Sequence, residues 1–311
     1  MKALFITEKW CDGIPSKGIT NNYHNLFSTF KNANPDIKFS IIHLDEVALK
    51  LGTHIDNLIA DTVENVKPEI VIFSLLGNSS LNPTKYTFKF LKNKNIKMIF
   101  MWADVTDMYG KKDIEQDLVE YSSLHVCWGS EKNLRTDSKV LWAFAPQDER
   151  LYYPSHQTID VSFVGSIRYP ERVNSLQYLL DKKFNLNIKG GQREEGLSAE
   201  MYSNYIRTSK INLNFPEGPN GTLQCKGRVW EVLASKSLLI ERINNATTQH
   251  LIPGTHYVAY TDLQDLERKI IYYLNNENER LEIAKNGYQL YKDRYTYKHF
   301  WKDVFTNLYM E

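Results

Sequence analysis

The sequence predicts an α/β protein of two Rossmann-like, doubly wound domains facing a cleft. Three observations carry this. Short apolar runs alternate with longer amphipathic stretches along the whole chain. The runs lack the in–out alternation of a half-exposed sheet, so they suit parallel strands covered on both faces. The 311 residues exceed one ordinary core and suit two domains of about 150 residues each.

In the first half, residues 3–7 read as a strand that runs into a turn-rich loop, 8–18. Thr20 then caps a helix carrying Leu26, Phe27 and Phe30. A strand at 37–44 precedes one helix through Val47, Leu49, Leu51, Ile55 and Ile59. Strands at 70–75 and 96–102 flank a helix around 86–91, and strands at 125–128 and 140–144 follow. The aperiodic, proline-bearing stretch 147–157 reads as a linker between a domain at 1–146 and a second at 158–296. The second domain opens with a strand at 159–164 ending at Gly165, then a helix from Pro170 and a strand at 186–188. A helix around 199–209 leads to a strand at 211–214, a glycine-rich loop and a helix at 227–234. Strands at 237–240 and 257–260 precede Asp262, which caps a helix through Leu266, Ile270 and Leu274. The tail is helical and aromatic, and 297–311 form a final helix.

Composition excludes several classes of function. Lys plus Arg number 38 against 37 for Asp plus Glu, net +1, too balanced for a protein whose main partner is a nucleic-acid backbone. Cys11, Cys127 and Cys225 form no C-x-x-C pair, which argues against a disulfide framework or a zinc cage. No apolar run approaches the roughly 20 residues of a membrane span, and the opening MKALFITEKW is too short for a signal peptide. A cytoplasmic location is expected. Neither G-x-G-x-x-G nor a P-loop follows the domain-opening strands, which argues against a nicotinamide cofactor and against an NTPase.

The most informative segment is NFPEGPNGTLQCKGRVWEVLASKSLLI at residues 214–240. Its long turn, with Gly221 and Thr222, leads into a helix start whose free N–H groups and dipole favour phosphate, and Lys226 and Arg228 add fixed charge. Arg228 and Glu231 share one helical face, offering a cation for a diphosphate and a carboxylate for ribose hydroxyls; a surface i, i+3 ion pair is the plainer alternative. The second segment, VSFVGSIRYPER at 161–172, ends a buried strand at Gly165 and Ser166, where backbone is approachable. Arg168 and Arg172 stand within reach of a pyrophosphate.

The second half resembles the nucleotide-sugar-binding domain of GT-B glycosyltransferases, and within them the CgeB-like, glycosyl transferases group 1 family. The matching pieces are FVGSIRYPER, SKINLNF, KGRVWEVLASKSLLI, VAYTDLQDLERKIIYYL and ERLEIAKNGYQLYKDRYTY, in that order. The first half matches more loosely through WADVTD and KVLWAFAPQDERLYYP.

The resemblance implies a GT-B fold and a hexosyl- or pentosyltransferase acting on a nucleotide-diphosphate sugar. The first domain would take the acceptor (glycan, lipid, protein or modified nucleic acid), the second the donor, and the final helix would cross back to the first domain. It places Glu231 on the donor ribose, with Arg172 and Arg228 at the diphosphate as catalytic groups. Arginines and a helix start can stabilise the leaving diphosphate without a metal or other cofactor. Asp104, in Asp104-x-x-Asp107, would sit at the cleft mouth as a general base, or else cap the next helix. Gly18 and Thr20 of the first loop would approach the donor across the cleft. Many retaining relatives carry a second glutamate where this chain has Leu223, with Glu217 out of register, a departure that weakens the expectation of a retaining outcome. A nucleotide-sugar epimerase and a non-catalytic nucleotide- or sugar-binding module are the alternatives.

Other residues are plainer. His24 reads as partly buried and structural and His125 as core. Cys225, beside Lys226 at a helix start, could have a lowered thiol pKa. Lys85, Lys89, Lys92, Lys94 and Lys97 read as a solvated helix face, or a patch for an anionic acceptor.

Overall fold

A computed structural model describes residues 1–51, 55–75, 80–103, 118–129, 139–167, 169–190, 197–218 and 221–310. The chain forms two compact units, one of Met1–Ala143 with Tyr297–Glu311 and one of Phe144–Thr296.

The first unit is built on a six-stranded parallel sheet, β1 (Lys2–Thr7), β2 (Lys38–His43), β3 (Ile70–Ser74), β4 (Lys97–Ala103), β5 (Leu124–Trp128) and β6 (Val140–Trp142), in the order β2-β1-β3-β4-β5-β6. β3 is buried along its whole length, which explains a continuous apolar run instead of alternation. The helices Leu44–Leu51 and Ile55–Val66 fall within the one helix expected there, of which residues 52–54 lie outside the described residues. The helix Tyr297–Tyr309 belongs to this unit because its aromatic face packs there. The Trp301 and Phe30 rings lie 5.0 Å apart, and the Trp301 indole N–H donates to Thr29 Oγ1 at 2.9 Å.

The second unit holds a five-stranded parallel sheet, β7 (Ile159–Val164), β8 (Leu186–Lys189), β9 (Ser209–Asn214), β10 (Leu238–Arg242) and β11 (Val258–Tyr260), ordered β11-β10-β9-β7-β8. The strand order reverses between β7 and β9. In doubly wound sheets that reversal opens a crevice at the strands' carboxyl ends, where ligands lodge. The core is apolar, from Val161 and Phe163 through Ile211 and Leu213 to Leu238 and Ile240. Residues 147–157, expected as a linker, pack into this unit. Gln147, Asp148 and Tyr152 are buried, and the Leu151 carbonyl accepts from Arg207. Asp262 caps the helix Leu263–Asn275 by accepting from the Asp265 N–H at 2.8 Å.

Candidate functional site

The site assembles at the carboxyl edge of the second sheet, on the β7–β9 crevice. β7 ends at Gly165, whose φ of +144° is open to glycine and rarely to other residues. A Cβ on Gly165 would come within 2.2 Å of Arg228 Nη2. The Arg228 guanidinium therefore lies close against the Gly165 main chain. It sits 4.8 Å from the centre of the Phe163 ring, and Nη1 donates to Asn214 Oδ1, at the end of β9, at 2.8 Å. It bridges both strands of the crevice. Arg228 Nε is buried and has no hydrogen-bond partner among the described residues.

Glu231 lies one turn further along the helix Gly227–Ala234, 5% exposed. It does not pair with Arg228. Its Oε2 accepts from the Tyr202 hydroxyl at 2.8 Å, and Tyr202 comes from the helix Ala199–Arg207. Burial pushes the Glu231 carboxyl above the usual range, while the Arg228 charge and the Tyr202 hydrogen bond pull the other way. The buried Tyr152 hydroxyl also stands close to Glu231, and its own pKa is raised, first by burial and then by that charge.

Other expected donor residues have different employments. Arg172 is 5% exposed and spends Nη1 on the Ser166 carbonyl and Nη2 on the Phe215 carbonyl, the latter at 3.1 Å. It ties the loop after β7 to the main chain just after β9. Lys226 is the N-cap residue of the helix Gly227–Ala234 and bonds the Gln224 side chain through Nζ. Gly221 and Thr222 are exposed in a turn in which the Gly218 N–H donates to the Thr222 carbonyl at 2.9 Å. Arg168 and Asp104, with Asp107, lie outside the described residues.

In the first unit Gly18 takes φ of +79° in the loop after β1, and its carbonyl accepts from the Cys11 N–H at 2.9 Å. Thr20 is buried and accepts from the Tyr23 N–H at 3.0 Å, a capping role. His24 is half-buried against the Tyr23 ring. His125 is fully buried, accepts from the Trp102 indole at Nδ1 at 2.8 Å, and burial lowers its pKa to about 4. Lys85, Lys89, Lys92 and Lys94 are exposed, and Lys94 pairs with Glu64 at 2.7 Å. One expectation is reversed. Burial, together with the nearby Glu241 charge, raises the Cys225 thiol instead of lowering it, so it is no ready nucleophile.

Tyr202, Tyr152, Asn214 and Glu241 escaped the sequence reading. Two left a signal. Asn214 and Glu241 are polar residues at the ends of apolar strand runs, where a buried side chain must find a partner.

Among the described residues no helix is long and apolar enough to cross a membrane, and no three His, Cys, Asp or Glu side chains are grouped to hold a metal ion.

The architecture is shared with solved GT-B proteins. Anabaena Alr3699/HepE, crystallised with UDP and glucose, superposes with a TM-score of 0.63 at 10% identity over 99% of each chain. A glycosyltransferase from Rickettsia africae ESF-5 gives 0.58 at 12% identity over 98% of this chain and 97% of its own. A putative UDP-N-acetylglucosamine 2-epimerase from Listeria monocytogenes gives 0.56 at 12% over 92% of each. The fold is thus GT-B. The glycosyl transferase-like family profile matches residues 146–306, more than half of the chain, and the chain belongs to that family of transferases. No curated protein sequence matches significantly.

Proposed function

We propose that this glycosyltransferase takes its sugar from a nucleoside-diphosphate donor, with uridine the first base to test, and transfers it without a metal ion. The observation that supports this most is the Arg228 guanidinium lying across the β7–β9 crevice against Gly165, with Glu231 one turn deeper. The donor diphosphate would rest on Arg228 and on main chain at Gly165 and Ser166, and the ribose hydroxyls on Glu231. As the glycosidic bond breaks, negative charge grows on the leaving diphosphate; a fixed guanidinium at that point stabilises it more than the ground state. Arg228 suits this because Phe163 and Asn214 hold it in place beforehand. Arg172 would act by holding the crevice loops. Placement in the CgeB-like group, a hexosyl or pentosyl donor and a retaining outcome belong to the same proposal, with a glycan, lipid, protein or modified nucleic acid as acceptor. The solved neighbours bound to UDP and to UDP-glucose make UDP-sugars the natural first probes.

The test is a thermal-shift panel of UDP, GDP, ADP and CMP with their sugars, with and without a chelator, on wild type, Arg228→Ala and Glu231→Ala. A shift with one nucleoside diphosphate, indifferent to chelator and lost in both variants, is expected. No shift with any nucleotide overturns the reading. Donor turnover without an acceptor would favour an epimerase.

A further inference from the structure

The carboxyl edge of the second sheet also holds a carboxylate that the donor-site reading does not use. Glu241 is wholly buried at the end of β10 and pairs in register with Asn214 of β9. Its Oε2 accepts from Asn214 Nδ2 at 2.5 Å, and its Oε1 accepts from Asn244 Nδ2 and Thr247 Oγ1 at 2.6 Å each. On its other side, the Asn214 side chain accepts from Arg228 Nη1. The two contacts dictate the amide's orientation: Oδ1 must meet the guanidinium and Nδ2 the carboxylate. A flipped amide would set donor against donor at Arg228 and acceptor against acceptor at Glu241.

We propose that Glu241 is a positioning residue of the donor site, aiming the Arg228 guanidinium through Asn214 and opposing with its own charge the arrival of another anion there. The inference rests on the assignment of the donor diphosphate to Arg228. Three neutral side chains donate to the carboxylate, and the cation that answers its charge is Arg228, because Arg242, the next residue, is held by Glu171 and Glu217. Among the described residues, the other titratable groups facing Glu241 are Cys225, in the lead-in to the helix, Tyr257, just before β11, and Tyr260, at its end. Burial raises the pKa of all three, and the Glu241 charge adds to it.

Burial pushes the Glu241 carboxyl up to about 7, against its hydrogen bonds and the Arg228 charge. A diphosphate on Arg228 brings like charge towards a group poised to take up a proton. Donor binding is then linked to protonation of Glu241, and affinity falls as pH rises through neutrality.

The probe is UDP-glucose, whose phosphates do not titrate near neutrality, measured by calorimetry on the full chain from about pH 6 to about pH 8.5. Wild-type affinity should fall on the order of tenfold over that interval. Glu241→Gln, neutral throughout, should flatten the profile; Glu231 is present in both proteins, so its titration cancels in the comparison. Asn214→Ser cuts the link but leaves the other two donors to Glu241, and should weaken binding about fivefold at every pH while keeping the slope. A flat wild-type profile overturns the charge effect even should Glu241→Gln fail to fold. Undiminished affinity in folded Asn214→Ser overturns the aiming effect. Loss of binding in Arg228→Ala, beside a flat wild-type profile and undiminished affinity in Asn214→Ser, removes Glu241's role and leaves the donor site standing. Undiminished binding in Arg228→Ala removes both.

Discussion

Arg228 occupies the space that a side chain at position 165 would need: a Cβ on Gly165 would lie 2.2 Å from Nη2 and 3.3 Å from Cζ of the guanidinium. The glycine and the arginine are thus one feature of the β7–β9 crevice, although 63 residues separate them in the chain.

Replacing Gly165 with alanine should therefore act as an arginine mutation. The new methyl group must displace the guanidinium, and the backbone at φ of +144° adds strain. We expect affinity for UDP or UDP-glucose to fall about tenfold or more by calorimetry, with a melting temperature lowered by only a few degrees. Full affinity in Gly165→Ala would show that the guanidinium does not serve the donor from this position.

Tyr202→Phe removes the hydroxyl that donates to the buried Glu231 carboxylate at 2.8 Å. The lost charge-assisted bond should cost about 1.5–3 kcal/mol in denaturant unfolding at neutral pH. It should also raise the Glu231 pKa further, so that the deficit shrinks on acidification, as a neutral carboxyl needs the donor less. A pH-independent loss would contradict this account.

Gly287 lies midway along the helix Glu277–Arg294, where a Cβ would come within 2.5 Å of the His256 carbonyl and 3.3 Å of Leu233 Cγ. Alanine normally favours a helix by about 1 kcal/mol over glycine. Here it must push main chain aside, and Gly287→Ala should destabilise by about 1–3 kcal/mol. A stabilised variant would mean that the helix can slide away from the 250–257 loop at little cost.

His125 makes the first unit sensitive to acid. Its pKa falls from 6.5 to about 4 because the imidazole is buried and stays neutral. With the folded value depressed, the contribution is fully present above pH 6.5 and is lost as pH falls through 4, amounting to about 3 kcal/mol. His125→Gln keeps an acceptor for the Trp102 indole and removes the titration. Its unfolding free energy should decline less than wild type between pH 6.5 and 4. Parallel profiles would place the acid sensitivity elsewhere.

The elements were legible because their signals are local. Doubly apolar strands, the Asp262 cap and the helix at 227–234 follow from periodicity and capping chemistry within one window of sequence. Of the site, the helix start and the placing of Arg228 and Glu231 on one helical face were visible, but not the partners those two side chains take. Arg172 shows why. As an arginine after a glycine turn it reads as a phosphate ligand, yet the fold buries it between the Ser166 and Phe215 carbonyls.

The sequence by itself determined the kind and order of most elements, the presence of two α/β units and the broad glycosyltransferase family. Sheet order and register decided the rest. Placing β9 between β7 and β10 sets Asn214 beside Glu241 and carries Arg228 onto Gly165, and packing the helix Ala199–Arg207 against the helix Gly227–Ala234 brings Tyr202 to Glu231. Periodicity is a property of neighbouring residues, whereas the partner of a buried charge depends on which strand lies next to which, a choice made only when the whole sheet closes its core.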